Sequence, residues 1–181
     1  MDKQTNKYFF DYYRMTGKQY KPGLESFILK CLFHNLQFAF WYRKYQERPN
    51  LLRKVMLYRF SRKYGLEISP NAQIGQGLYL GHPYSITVGE GVILGCNVNL
   101  HKGCTIGKTN RGNIGSPCIG NNVFIGINAT LVGNIHIGDD VLIAPNSYVN
   151  VDIPSHSVVI GNPATIHHCD NATGSYVNYC V

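Results

Sequence analysis

The sequence predicts a mainly β protein: a parallel β-helix of six-residue repeats behind an N-terminal α-helical segment. Three observations predict it. From Ile68 onward aliphatic residues fall every six positions, at Ile68, Ile74, Leu80, then Val88, Leu94, Leu100, Ile106, and again at Ile119, Ile125, Leu131, Ile137, Ile143 and Val149. Many are followed by glycine or another small residue, and glycine is abundant at 19 of 181 residues. Before Tyr64-Gly65 this period is absent.

A period of six belongs to neither a helix nor simple strand alternation. It suits hexapeptides that each supply a short strand with one inward aliphatic residue, then a turn. Three of them make a triangular coil of about 18 residues, and roughly 90 residues of repeat make about five coils. Asn97, Asn99, Asn121, Asn122, Asn128 and Asn146 are the expected corner residues, where the backbone excludes bulky side chains.

The front of the chain reads as helix from Leu24 to Lys63. Phe27, Leu29, Cys31, Leu32, Leu36 and Phe40 form one apolar face, and Leu51, Leu52, Val55, Met56, Leu57 and Phe60 another. Pro22-Gly23 precedes the first segment and "ERPN" separates the two. Residues 1–20 read as short helix or irregular chain. The expected domains are 1–64 (helical), 65–166 (β-helix) and 167–181 (tail).

Charge follows the same boundary. Residues 1–64 hold 14 Lys/Arg against 4 Asp/Glu, and the remainder 3 against 6. The basic residues alternate with Tyr, Phe and Leu, as on the wet face of packed helices. This argues against nucleic acid and leaves peripheral contact with an anionic membrane as an expectation. "FILKCLFHNLQFAFW" is broken by Lys30, His34, Asn35 and Gln37 and is not expected to span a bilayer. Without an export signal, and with six scattered cysteines, the reading is a cytoplasmic protein with reduced thiols.

Two interruptions break the repeat. Leu80 to Val88 takes eight positions, so two extra residues bulge near "HPYS". Ile106 to Ile119 takes thirteen, which reads as two repeats plus one residue across "GKTNRGNIGSPC". Extra residues in a solenoid are extruded as loops that often carry the binding surface. The expected site therefore lies beside His82 and the loop 108–117.

The stretches "LEISPNAQIG", "LYLGHPYSITVG", "VNLHKGCTIG", "IGNNVFIGINATLVGNIHIGDDVLIAPNSYV" and "VVIGNPATI" resemble the left-handed β-helix acyltransferases with hexapeptide repeats. Within that family they are most similar to serine acetyltransferase and the O-acetyltransferases of bacterial capsule and polysaccharide biosynthesis. The resemblance covers residues 66–166. It implies the left-handed sense, acetyl-CoA as co-substrate without a metal, and a homotrimer with sites between chains. The family's acidic residue in "DIHP" and the histidine fifteen positions later in "DHxTG" match Glu67 and His82. The resemblance makes His82 the general base and Glu67 the group that orients its ring. The family's second histidine and the arginine before it fall on Ser116 and Gly115. This departure makes free serine a poor guess and favours the hydroxyl of a sugar or surface polysaccharide precursor.

His101, almost one coil beyond His82, and Ser116, at the altered position, are the candidates for a second base or a substrate-binding residue. Lys108 and Arg111 are candidates for coenzyme phosphates, and the backbone of Gly107, Gly126 and Ala144 for the pantetheine arm. Acetyl transfer to an alcohol needs a base, an oxyanion donor and alignment, so direct attack is expected rather than an acetyl-enzyme on Cys104 or Cys118. Three other readings stand beside it: a serine O-acetyltransferase, a nucleotide-sugar N-acetyltransferase and a non-catalytic structural β-helix. His82, His101 and His136 lack the spacing of a γ-class carbonic anhydrase zinc site.

Overall fold

The computed structural model describes residues 6–181. Four helices come first: α1 (Lys7–Thr16), α2 (Leu24–Leu32), α3 (His34–Glu47) and α4 (Leu51–Tyr64). The stretch left open at 1–20 thus contains a helix, capped by the Asn6 side chain accepting from the Tyr8 N–H. The first expected segment is two helices, parted at Phe33, whose backbone is extended. Asn50 caps α4, and Gly65 ends it in the left-handed conformation.

The solenoid follows in coils of three strands. The first is β1 (Glu67–Ile68), β2 (Gln73–Ile74) and β3 (Tyr79–Gly81); the second is β4 (Thr87–Val88), β5 (Ile93–Leu94) and β6 (Asn99–His101). The third is β7 (Thr105–Gly107), β8 (Cys118–Ile119) and β9 (Phe124–Ile125), and the fourth β10 (Thr130–Val132), β11 (His136–Ile137) and β12 (Val141–Ile143). In the fifth, β13 (Tyr148–Val149) leads through a bridge at Ile153 to β14 (Ser157–Ile160), on which β15 (Thr165–His168) folds back antiparallel. Equivalent strands stack into three sheets, β1-β4-β7-β10-β13, β2-β5-β8-β11 and β3-β6-β9-β12-β14-β15. We call these sheets one, two and three.

Register lines the repeat's aliphatic residues into three columns. Ile68, Val88, Ile106, Leu131 and Val149 form the first, Ile74, Leu94, Ile119 and Ile137 the second, and Leu80, Leu100, Ile125 and Ile143 the third. All are buried, and each such side chain contributes about 1.5–3 kcal/mol by leaving water. The turn from sheet two to sheet three carries glycine in each of the first four coils: Gly75, Gly95, Gly120 and Gly138. A β-carbon there would lie 2.4–2.8 Å from main-chain atoms of the next coil. Only glycine admits that approach.

The second interruption is larger than the spacing suggested. β7 lies in sheet one and β8 in sheet two, so Ile106 to Ile119 is a single side of the coil. Thirteen positions replace six, and seven residues are extra. Counting the gap as two repeats missed this because six and twelve leave the aliphatic residue inward alike. The corner asparagines hold in part: Asn97, Asn122, Asn128 and Asn146 have φ between 53° and 59°, whereas Asn99 lies within β6 and Asn121 is not left-handed.

The helices close the open end of the first coil. Phe38 and Tyr42 of α3 and Leu57 and Phe60 of α4 join the solenoid core around Leu66, Ile68 and Ile74. Side chains then take up carbonyls that have no preceding strand to pair with. The Tyr42 hydroxyl donates to Ser69 and Ala72, Arg43 to Ile74 and Gly75, and Arg14 Nε to Gly77. Arg43 also grips Asp11 through two bonds of 2.7 and 3.1 Å, with both side chains buried.

The expected apolar faces of the helices are only partly used. Leu36, Leu57 and Phe60 are buried, but Phe27, Leu32, Leu51, Leu52 and Val55 are exposed, as are Leu24 and Phe33. The reason is position: α3 lies between α2 and α4 and reaches the solenoid, leaving one side of each neighbour in water. No helix among the described residues is long and apolar enough to cross a membrane. The C-terminal residues return along sheet three, where Asp140 accepts from Ala172 and Thr173, Asn99 donates to the Tyr176 carbonyl and Asn97 bonds Val181. β15 straddles the boundary expected at 166.

Candidate active site

The bulge at "HPYS" is a built turn. His82 follows β3 with φ of 48° and Ser85 has φ of 55°, both left-handed, while the Tyr84 N–H closes back on the His82 carbonyl at 2.8 Å. Helices hold the turn from outside. His34 Nε2 bonds the Pro83 carbonyl at 3.2 Å with its ring stacked on Tyr64, and the Ser85 N–H donates to the Tyr64 carbonyl. Pro83 is buried and His82 exposed. The imidazole is therefore presented at the edge between sheets three and one.

Glu67 is exposed on β1, opposite Thr87. Its carboxylate and the His82 ring have no hydrogen bond to each other or to any other group among the described residues. Catalytic hydrogen bonds are often long before substrates bind.

His101 lies directly opposite Gly81 in the ladder, and its ring covers the space a side chain at Gly81 would need. Phe124 packs at 4.6 Å between ring centroids and Tyr79 at 6.0 Å. Its Nε2 is buried without a partner among the described residues. Burial, and then the neighbouring His82, hold its pKa below the usual imidazole value. His101 thus lies one coil beyond the end of β3, in line with its expected place almost one coil from His82, and the ladder makes the two histidines neighbours. Cys104 is fully buried and its thiol is pushed up to about 12 by burial, the opposite of an activated nucleophile.

The expected coenzyme contacts divide between two edges. Gly126 and Ala144 follow β9 and β12 on the same edge as His82, and their N–H groups already donate to the carbonyls of Ile143 and Val159. Gly107, Lys108, Arg111 and Ser116 lie on the edge between sheets one and two. Lys108 and Arg111 are exposed, and nothing stands within 4 Å above Gly107. The Ser116 hydroxyl donates to the Glu90 carbonyl at 3.0 Å, so it is spent on the turn. The loop closes on itself through Thr109 and Gly115 and docks on the next coil by bonds between Asn113 and Asn134. Within one chain the loop and His82 do not meet.

Sequence reasoning missed the cleft beside His101. It holds about 460 Å³ between Arg14, Tyr79, Asn99 and Phe124 and the returning tail at Tyr176 and Tyr179. Tyr79, Asn99 and Phe124 belong to the repeat, but nothing in the sequence ties them to Arg14 of α1 or to the tail at Tyr176 and Tyr179. Among the described residues no group of three or more His, Cys, Asp or Glu is gathered around a common point.

Comparison with known proteins gives this arrangement its relatives. Residues 119–150 match the family model "Bacterial transferase hexapeptide (six repeats)". Serine acetyltransferase of Helicobacter pylori is 32% identical over 144 residues, covering 79% of this chain and 80% of that protein. Serine acetyltransferase 2 of Arabidopsis thaliana is 36% identical over 137 residues, covering 74% of this chain; the chain spans only 42% of that longer relative. The structure of Neisseria gonorrhoeae serine acetyltransferase in complex with serine superposes with a TM-score of 0.71 at 30% identity, over 89% of this chain and 67% of that one. A serine acetyltransferase in complex with CoA superposes with a TM-score of 0.62 at 28% identity, over 73% and 55%. These relatives overturn the expectation of a sugar or polysaccharide acceptor, which rested on the altered Gly115-Ser116 position: their names specify serine. The chain belongs to the serine acetyltransferase family of hexapeptide-repeat, left-handed β-helix transferases.

Proposed function

We propose that the protein transfers the acetyl group of acetyl-CoA to the hydroxyl of serine. Besides the family, one observation carries this reading: an exposed histidine held on a left-handed turn at an outer edge of the solenoid. In the proposed reaction His82 removes the hydroxyl proton as the oxygen attacks the thioester carbonyl. The tetrahedral intermediate then collapses with loss of the CoA sulfur, and the proton held by His82 passes to it. Glu67 supports the imidazolium once substrates draw the two groups together.

The division of the coenzyme contacts between two edges supports a trimer, in which the 108–117 loop of one chain faces the His82 edge of the next. The working domains in this reading are residues 1–64, 65–166 and 167–181.

Thiol release from acetyl-CoA with L-serine tests the proposal. His82→Ala should lower turnover about 10²–10⁴-fold, the usual worth of a positioned general base, while acetyl-CoA binding and the circular-dichroism spectrum persist. No release with serine would overturn the acceptor. Full turnover in His82→Ala with its loss in His101→Ala would move the base to the next coil. Sedimentation should report three chains or a multiple of three.

A further inference from the structure

Arg14 is an anomaly of charge. The residue is 2% exposed, yet its guanidinium has no carboxylate partner among the described residues. The neighbouring acid, Asp11, is spent on Arg43 and on the Leu78 N–H. Arg14 Nε donates to the Gly77 carbonyl and Nη2 to the Asn99 side-chain oxygen, both neutral, and the guanidinium lies 5.8 Å from the centroid of the Tyr79 ring. A cation out of water is costly unless an anion answers it. A tether from α1 to the first coil would need only the bond to Gly77.

The same cleft contains a second unmet group. His101, also in its lining, has a buried Nε2 without a partner among the described residues. Asn99 and His101 alternate with the inward Leu100 on β6, so both project from the outer face of sheet three. Tyr79 and Phe124 wall the space, and the Tyr176 stretch, held by Asn99, roofs it. A guanidinium and an imidazole lining one cleft form a receptor for a small anion, and a carboxylate is the anion that a guanidinium bonds most readily alongside phosphate.

We propose that this cleft binds the carboxylate of a small ligand between Arg14 and His101, beside the His82 turn. The assignment of that carboxylate to the acceptor rests on the serine reading; the binding site itself does not. When a carboxylate enters, His101 gains a hydrogen-bond acceptor at Nε2 and Arg14 gains its missing counter-charge. The step is binding alone, with no bond made or broken.

Calorimetry and histidine-selective NMR on the full chain test it, with L-serine, L-serinamide, acetate and inorganic phosphate as probes. L-serine and acetate should bind and shift the His101 ring resonances, identified by their loss in His101→Gln, and serinamide should leave them unmoved. Arg14→Gln should weaken L-serine binding at least tenfold, and Arg14→Lys less. If Arg14→Gln does not fold, Asn99→Asp supplies an internal carboxylate to the guanidinium and should abolish acetate binding. Phosphate binding better than every carboxylate would overturn the ligand class. Equal response to serine and serinamide, or full acetate binding in Asn99→Asp and Arg14→Gln, would overturn the site. Carboxylate binding without any serine-dependent thiol release would keep the site and refute the serine acceptor.

Discussion

The helical end and the solenoid are built on opposite economies of contact. In the solenoid every coil repeats the same inward aliphatic residue and the same ladder bonds, so neighbouring coils supply each other's partners. The helices repeat nothing. They bury a few aromatics, leave large apolar side chains such as Leu24 and Leu32 at 75% and 71% exposure, and rely on single polar contacts from Arg14, Tyr42 and Arg43. A repeat can be extended by copying itself but cannot terminate itself. Termination needs residues that fit one edge once.

The largest test of that contrast removes the cap. A chain lacking residues 1–64 should yield no soluble protein with a cooperative thermal transition, because the first coil would expose its carbonyls and apolar column together. A soluble, cooperatively melting truncation would show that the solenoid ends itself.

Next comes a single contact. Arg43→Met should cost about 3–5 kcal/mol in denaturant unfolding, since it strands the buried Asp11 carboxylate and frees two carbonyls. A loss below about 1 kcal/mol would make that pair decoration rather than closure.

A smaller effect belongs to the solenoid side. Burial, and then the neighbouring His82, hold the His101 imidazole below its ordinary pKa in the folded chain. Its contribution to stability is therefore fully present above the unfolded value and is lost as pH falls through the folded one. Melting temperature should drop on acidification below about 6.5, and His101→Gln should flatten this limb. An unchanged acid limb in that variant would assign it to other groups.

The smallest effect is expected where the helices face water. Leu24→Ser and Leu32→Ser should each change stability by no more than about 0.5 kcal/mol. A larger loss would mean that this face is covered in solution, and sedimentation of the same variants would detect the missing partner.

The fold was legible because its period is physical: each inward position must be aliphatic, and all thirteen read from the sequence are buried. The loop's size was not legible. A side is recognised by which sheet its strand joins, and Ile106 and Ile119 carry no label for that. His82 could be singled out from the two-residue bulge. The nearness of His101 to it depends on ladder register and the bare Gly81. Arg14 lay beyond reach, since its neighbours are distant in sequence and its place in a helix cap has no period.

The glycine column along the edge between sheets two and three has a consequence for how such a protein can change. At Gly75, Gly95, Gly120 and Gly138 successive coils touch main chain to main chain. Those four positions have no room for a side chain. The other two edges have already absorbed insertions, two residues at His82 and seven in the 108–117 loop. One edge therefore works as a hinge-free spine, and novelty is confined to the remaining two. Recombination of loops between relatives should succeed on those two edges and fail on the spine, which makes the solenoid a scaffold with a built-in map of where it can be edited.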